Sequence, residues 1–559
     1  MVYQSLGERL VARNVLTSTQ LAHIEALQQA EGMEFILAAL QDKTVDKSRL
    51  MQAIGALEEV PYVDLSRCQL QPECLQLLTE AQARHFKALV LRVSKEGGVE
   101  VGLCDPANRE NRETLEQILQ QPFTPQLIAP DDFNRVVGRL YQSQVSFDQL
   151  IQQVIGQSAP HQDQAEDAAS VSESAVAQLI DQVLVQAVKS GASDIHFEPN
   201  AMGFNIRQRI DGVMHQIEHT DVAIGDALVI RIKVMAHMNI AQTRLPQDGH
   251  IRFAQSGKAV DIRVATLPTP DGEQVVMRIL DQSTQRLSLQ ALEMPESITQ
   301  QIEWVVKRPY GLFLVTGPTG SGKTTTLYSM ISTLNTASLK VITAEDPIEY
   351  IMPAVTQIQV NDRIGLDFSA ILRASLRNDP DVLLVGETRD ESTAQQALRA
   401  AMTGHLVFTT VHVNHAIDAV GRLYDLQADL FTLGSSLIGV LNQRLLRRLC
   451  PSCSTEGPAS ALEQAWLDEH AISLPLAHLA QPGGCFLCHH TGYAGRQLVC
   501  ELYVPCSSAL QAMMANDMTE FHAIATKVMQ GRRLIDVAIE QVAQKNTSLA
   551  EVMRVIGAG

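Results

Sequence analysis

No apolar run in the 559 residues approaches the ~18 that a membrane span needs. The first ten residues carry Glu8 and Arg9 and lack a signal-peptide core, so the chain reads as cytoplasmic. Basic residues are in deficit: 44 Lys and Arg against 62 Asp and Glu leave a net charge of −18. That argues against an overall polyanion-binding surface, although a local basic channel stays compatible. No basic stretch is interleaved with aromatics, as a single-strand nucleic-acid track would require. Cysteine is scarce and odd in number, nine in all, and four of the nine sit in two C-x-x-C pairs. In a reducing compartment that pattern points to a metal, not to disulfides. The length exceeds what one core supports, and about 3–5 domains is the prior.

What is present centres on Gly317-Pro318-Thr319-Gly320-Ser321-Gly322-Lys323-Thr324-Thr325. This satisfies the phosphate-loop pattern G-x-x-x-x-G-K-[ST]. Leu312 to Val315 before it reads as a buried strand. Thr324 to Leu334 after it reads as a helix with Leu327, Met330, Ile331 and Leu334 on one face. Backbone N–H groups of such a loop curl around phosphate oxygens, and the helix start adds positive potential. Lys323 is expected on the β- and γ-phosphates, and the Thr324 hydroxyl on Mg²⁺.

In chain order, residues 1–65 read as a helical module, with Leu6, Leu10 and Val11 on one face and Leu21, Ile24 and Leu27 on another. Residues 66–148 read as a small α/β module with a hairpin about Gly97-Gly98. Residues 149–174 read as a flexible linker, with Gln157 to Ser174 rich in Gln, Ala, Ser and Asp and almost without large apolar side chains. Residues 175–290 read as an α/β domain dense in arginine at strand positions. Residues 291–445 alternate strands and helices, which predicts a parallel sheet. Residues 446–500 hold the cysteine pairs, and 501–559 read as helical.

Three further strands of the 291–445 region end in Glu345-Asp346, in Gly386-Glu387 and in Val411-His412. Ligands of such sheets sit at the carboxyl ends of the strands, so these residues are expected beside the phosphate loop. Hydrolysis of a nucleoside triphosphate needs a metal, a positioned water and charge stabilisation. Of Glu345 and Glu387, one is expected to hold Mg²⁺ and the other to polarise water. His405 and His412 either sense the γ-phosphate or bond within the sheet edge. Arg263 and Arg278, from the preceding domain, either act as fingers on transition-state charge or form ion pairs inside their own sheet. Cys450, Cys453, Cys485 and Cys488 suit a closed tetrahedral Zn²⁺ site, with His489 and His490 close enough in sequence to substitute.

Together these stretches resemble the secretion and pilus-assembly ATPases, the GspE/PilB/PulE-like group. The likeness runs from about 175 to 505 and rests on several segments. Ahead of the phosphate loop stand Arg231-Ile232-Lys233-Val234-Met235-Ala236 and Arg244-Leu245-Pro246-Gln247-Asp248-Gly249. Thr343-Ala344-Glu345-Asp346-Pro347-Ile348-Glu349-Tyr350 resembles the family's aspartate box. Asn378-Asp379-Pro380-Asp381 with Val385-Gly386-Glu387-Thr388-Arg389-Asp390 resembles its Walker B region. Thr403-Gly404-His405 through His412 resembles its histidine box, and Gln443-Arg444-Leu445 precedes the cysteine pairs. The resemblance implies an α/β multidomain chain with a RecA-like core, a PAS-like domain before it and a zinc-bearing insert. It implies a homohexamer at the inner face of the cytoplasmic membrane. That ring would use ATP and Mg²⁺ to build a pilus or pseudopilus through an inner-membrane platform protein and membrane-associated assembly proteins. It further implies Glu345 as catalytic base, Glu387 as support for Mg²⁺, and Arg263 and Arg278 approaching a neighbour's nucleotide.

Residues 1–65 resemble the MshEN module that binds cyclic di-GMP in some members. The first R-L-G-type repeat reads Ser5-Leu6-Gly7-Glu8-Arg9-Leu10, and the second, around Phe35 to Leu40, has lost its Leu-Gly. Cyclic di-GMP is therefore not expected to bind, and neither is nucleic acid. The competing readings are a nucleic-acid translocase of the same ATPase class and a nucleotide-gated scaffold without turnover.

Overall fold

The computed structural model describes residues 6–557 except 32, 34, 43, 66–67, 69–73, 75–76, 94–97, 144–164, 256–257, 281–287, 335, 337, 486–487 and 489. One unit comprises Met1–Gln186, Cys450–Thr455 and Pro482–Tyr493; the other comprises Ala187–Leu449, Glu456–Gln481 and Ala494–Gly559.

The first unit begins with helices Leu6–Ala12, Ser18–Glu31, Phe35–Gln41 and Lys47–Glu58. Thr17 starts the second of these by a reciprocal cap. Its hydroxyl accepts from Gln20 N at 3.2 Å, and the Gln20 side chain accepts from Thr17 N at 2.8 Å. Leu10, Leu16, Ile24, Leu50, Met51 and Ile54 close one core. Strands Ala88–Val93 and Val99–Leu103 then pair antiparallel, as the Gly97-Gly98 signal predicts, and Phe123–Leu127 adds in parallel. Alternation along the first strand splits its side chains between two cores, Leu89 and Leu91 in one and Val90 in the other.

Of the expected linker, residues 149–164 lie outside the described residues. Residues 165–174 are not linker but the start of helix Ala165–Ser190. Ala and Glu are frequent there and favour helix, so a shortage of large apolar residues was the wrong test.

In the second unit, residues 192–280 form a six-stranded sheet. Its order is Val213–Thr220, Gly203–Ile210, Ala192–Asn200, Gly272–Leu280, Lys258–Thr269, Gln247–Gln255. Asp211 and Gly212 both take positive φ, 48° and 82°, the two-residue turn that fits a twisted hairpin. Helix Val222–Met235 lies against this sheet so closely that a Cβ on Gly225 would stand 2.1 Å from the Phe204 ring. Its Lys233 is fully buried and is answered by the Glu273 carboxylate at 2.5 Å.

The phosphate-loop region is built on a seven-stranded sheet. The order is Thr356–Gln359, Val341–Glu345, Val382–Val385, Leu406–Val411, Gly311–Thr316, Leu437–Leu449, Tyr493–Tyr503. Neighbouring strands among the first six run parallel. Gly311–Thr316, Val341–Glu345, Val382–Val385 and Leu406–Val411 are buried at every position. Strands covered on both faces read as continuous apolar runs, which is why they were visible in the sequence. The expected boundary at 445 falls inside Leu437–Leu449, and the seventh strand comes from beyond the cysteine pairs. The helix inserted between those pairs, Ala461–Glu469, packs Trp466 and Leu467 against Leu446, Leu534, Ala538 and Leu549. Glu501–Tyr503 complete the last strand, and helices follow from Ser507.

Candidate functional site

The phosphate loop leaves its strand at Thr316 and turns on Gly317, Gly320 and Gly322, with φ of 140°, 77° and 88°. Side chains rarely adopt these angles, so the motif's glycines have a backbone reason. Helix Lys323–Ser332 follows at once. Pro318, Thr319, Gly320, Thr324 and Thr325 are exposed, while Ser321 is buried. Ser321 Oγ bonds nothing among the described residues. Among the described residues Lys323 Nζ donates only to loop carbonyls, Gly317 O at 2.9 Å and Pro318 O at 3.0 Å. Burial pulls its amine down from 10.5 to about 8; Glu387 opposes this and Arg444 adds to it. An orphaned hydroxyl, a lysine held only by carbonyls and a glycine-turned loop at a helix start fit a nucleotide's phosphates.

The strand order sets the carboxylates beside that loop at increasing distance. Glu387 follows Val382–Val385, one strand away from the phosphate-loop strand's neighbour, and Glu345 ends the next strand out. Glu387 pairs with Arg389 at 2.7 Å and His412 at 3.3 Å. Glu345 is 3% exposed and fully engaged. It accepts from Tyr328 Oη, from Thr343 Oγ1 at 2.5 Å and from Gln357 Nε2 at 3.0 Å. Burial, and then this carboxylate, push the Tyr328 phenol well above its ordinary value. Tyr328 lies on the phosphate-loop helix, so it ties Glu345 to the loop. Thr324 at the helix start and the Glu387 carboxylate are oxygen donors of the kind Mg²⁺ takes.

His405 is not brought to this edge. It precedes strand Leu406–Val411, whose register pairs Leu406 with Gly311 and Val411 with Thr316. His405 therefore stands at the amino end of the sheet and His412 at the carboxyl end, about 23 Å apart at ~3.3 Å per residue. The one motif spans a whole strand, and only its second histidine reaches the site. His405 Nδ1 lies 2.9 Å from Ala400 O instead.

Arg263 and Arg278 face each other across adjacent strands. Arg278 Nε donates to Asp194 Oδ1 at 3.0 Å in its own sheet. Arg263 Nη2 donates to Ile348 O at 2.8 Å, with Glu349 at 3.8 Å. It therefore rests on the segment that follows Glu345 in the same chain. Asn442, Gln443 and Arg444, which abut the loop, carried no assigned role in the sequence reading. Their only signal was Gln443-Arg444-Leu445 as a family mark.

Cys450, Cys453, Cys485 and Cys488 converge in a buried cluster with all sulfurs within 4.8 Å of one another. Sulfur separations are 3.8 Å for Cys450–Cys485 and 3.7 Å for both Cys453–Cys488 and Cys485–Cys488. Four sulfurs about 2.3 Å from one tetrahedral ion stand about 3.8 Å apart, so the cluster is able to ligate a metal ion. Burial acts to raise the Cys488 thiol, but N–H groups of Cys485 and Gly492 reach its sulfur at 3.3 and 3.2 Å, and the balance falls below the ordinary value. His489 lies outside the described residues.

A parallel sheet carrying a glycine-turned phosphate loop at its carboxyl edge, with acidic residues at the ends of nearby strands, defines a phosphate-loop ATPase with a RecA-like core. The family model described as "Type II/IV secretion system protein" matches residues 169–554, and the MshEN domain model matches 59–147. "Type IV pilus assembly ATPase PilB" of Myxococcus xanthus (strain DK1622) is 34% identical over 521 residues, 91% of each chain. "Type II secretion system protein E" of Aeromonas hydrophila is 38% identical over 497 residues, 87% of this chain and 97% of its own. The solved Legionella pneumophila ATPase DotB shares the fold, with TM-score 0.52 at 21% identity over 68% of this chain and 96% of its own. The chain belongs to the GspE/PilB/PulE-like family of type II secretion and type IV pilus-assembly ATPases. It is an ATP-hydrolysing motor of that assembly machinery, and the nucleic-acid translocase and non-hydrolysing scaffold are set aside. Its cytoplasmic place follows from the family; of the described residues, no helix is long and apolar enough to cross a membrane.

The exclusion of cyclic di-GMP is overturned. It was argued from lost repeats in residues 1–65, whereas the MshEN match covers 59–147.

Proposed function

We propose that the protein works as a homohexameric ring at the inner face of the cytoplasmic membrane. It uses ATP to drive assembly of a pilus or a secretion pseudopilus through an inner-membrane platform protein and membrane-associated assembly proteins. The observation that carries this reading is the phosphate loop at the carboxyl edge of the parallel sheet, inside the matched residues 169–554.

In this reading Gly317 to Thr325 cradle the phosphates, and Lys323 leaves its loop carbonyls for the β- and γ-phosphates. Thr324 and Glu387 hold Mg²⁺, which supplies charge neutralisation on the phosphate oxygens when bound. Glu345 polarises the attacking water; for that, its hydrogen bond from Tyr328 must open, which couples the base to the loop helix. His412, bonded to Glu387, senses the γ-phosphate side. Arg263 and Arg278 are recruited to a neighbour's nucleotide. Zn²⁺ is the metal of the four cysteines, in a closed structural site. Domain limits at 65, 148, 174, 290, 445 and 500 mark the proposed functional parts, the third cutting helix Ala165–Ser190, the fifth strand Leu437–Leu449 and the sixth strand Tyr493–Tyr503.

The test is Lys323→Ala in the full chain. It should lose ATP turnover and fail to restore pilus assembly or secretion to a deletion strain. Turnover at the unaltered rate would sink the reading.

A further inference from the structure

The geometry points to Gln443 as a positioning residue for the phosphate loop. This rests on the reading of that loop as the nucleotide's cradle, and Lys323→Ala tests that reading separately.

Gln443 comes from strand Leu437–Leu449, more than a hundred residues after the loop. Parallel register sets Thr316 beside Asn442, so Gln443 stands beside Gly317. Its side chain is 0% exposed, and a buried amide needs partners at both ends. Both partners belong to the loop and its helix. Nε2 donates to Ser321 O at 2.7 Å, and Oε1 accepts from Thr326 Oγ1 at 2.9 Å. The stretch between those two contacts carries Gly322, Lys323, Thr324 and Thr325. A Cβ on Gly317 would stand 2.5 Å from Gln443 O, so the strand also presses on the loop's first turn.

The strand is itself braced. Asn442 Nδ2 donates to Asn414 O at 2.6 Å and Glu501 Oε1 at 3.0 Å, while Asn442 Oδ1 accepts from Thr316 Oγ1 at 3.2 Å. Arg444 Nη1 donates to Gln443 O and to Asn442 Oδ1, each at 3.0 Å. Gln443 thus reaches the loop from a fixed platform. A loop held from behind keeps its amides turned toward the phosphates before any nucleotide arrives, and the nucleotide need not order it. The same phosphates are held in ground and transition states, so loss of the grip should fall on KM and leave kcat nearly unchanged.

The experiment is steady-state hydrolysis and ADP titration on the full chain. Gln443→Leu should raise KM for ATP and Kd for ADP each about tenfold, with kcat within about twofold. Thr326→Val should raise KM about threefold, Thr326→Ser should leave it unchanged, and the double variant Gln443→Leu with Thr326→Val should be no worse than Gln443→Leu alone. Unaltered KM and ADP affinity with a lowered melting temperature would make Gln443 a core residue only and overturn the assignment. Additive KM effects would overturn it too. If Gln443→Leu does not fold, the Thr326 pair decides: equal KM for the serine and valine variants refutes the grip.

Discussion

Raising the pH should weaken ATP binding through one amine. Lys323 is pulled from 10.5 to about 8, chiefly by burial, with Glu387 opposing and Arg444 reinforcing. In the free protein the ammonium is therefore nearly whole at pH 7, about half lost at pH 8 and mostly gone by pH 9. Phosphates favour the charged form, so above pH 8 binding must take up a proton. KM for ATP should lie near its low-pH value at pH 7, about double by pH 8 and reach about tenfold near pH 9. The assay is hydrolysis by the full chain at saturating Mg²⁺ from pH 7 to 9.5. Lys323→Arg stays charged throughout and should show a flat profile whatever its absolute KM. Stability should move the other way. The unfolded chain holds this proton more tightly than the folded one between pH 8 and 10.5, so nucleotide-free stability gains as pH rises through that window. A flat wild-type profile would refute the reasoning. So would equal slopes for wild type and Lys323→Arg, since the effect would then belong to nucleotide or metal.

Glu387→Gln should keep ATP affinity within about threefold while turnover falls about a hundredfold or more, because the charge facing Mg²⁺ is gone but the cradle stays. Turnover at the wild-type rate would discard the carboxylate's role. Freshly purified protein should carry about one zinc per chain, and Cys485→Ser should lower that content and loosen the cysteine segments to proteolysis, since metal binding and local folding are coupled; metal analysis without zinc removes the claim. Rings mixed from Arg278→Ala and Lys323→Ala subunits should regain part of the activity each lacks alone. No gain despite demonstrated co-assembly would confine Arg278 to its own subunit.

What the sequence made legible was local. The phosphate loop, its flanking strand and helix, and the two cysteine pairs are short-range patterns whose chemistry needs those spacings. The buried parallel strands announced themselves as apolar runs ending in Glu345, Glu387 and His412. What stayed hidden depends on register. Val411 lies beside Thr316 and Leu406 beside Gly311; that pairing separates His412 from His405, and no one-dimensional pattern reports it. Gln443 touches Ser321 only because the sixth strand in the order runs parallel beside the phosphate-loop strand. The sheet is also closed by a strand from beyond the cysteine pairs, so a boundary drawn at a change of composition cut through it. The body of helix Ala165–Ser190 was legible from Val176 onward; its first turns, residues 165–174, read as linker for a different reason, since propensity rather than an apolar face writes them.

The paired arginines test how far a single chain can be read for a ring. Arg263 and Arg278 are direct cross-strand neighbours, a like-charge contact that costs stability unless each is answered. Each is answered within the chain, Arg278 by Asp194 and Arg263 by Ile348 O and Glu349. These bonds do not oppose a role at a neighbour's nucleotide. Arg278 has 61% of its side chain in solvent, and exposed ion pairs hold only about 0–1 kcal/mol. In the proposed ring, a γ-phosphate with its fuller charge would outcompete such a partner once a neighbouring subunit brought it close. On that proposal Asp194 would be a holding partner that keeps two guanidiniums compatible on one sheet face while no phosphate is near. Ion pairing and action in trans would then be successive states of one side chain, and only rings of mixed composition separate them.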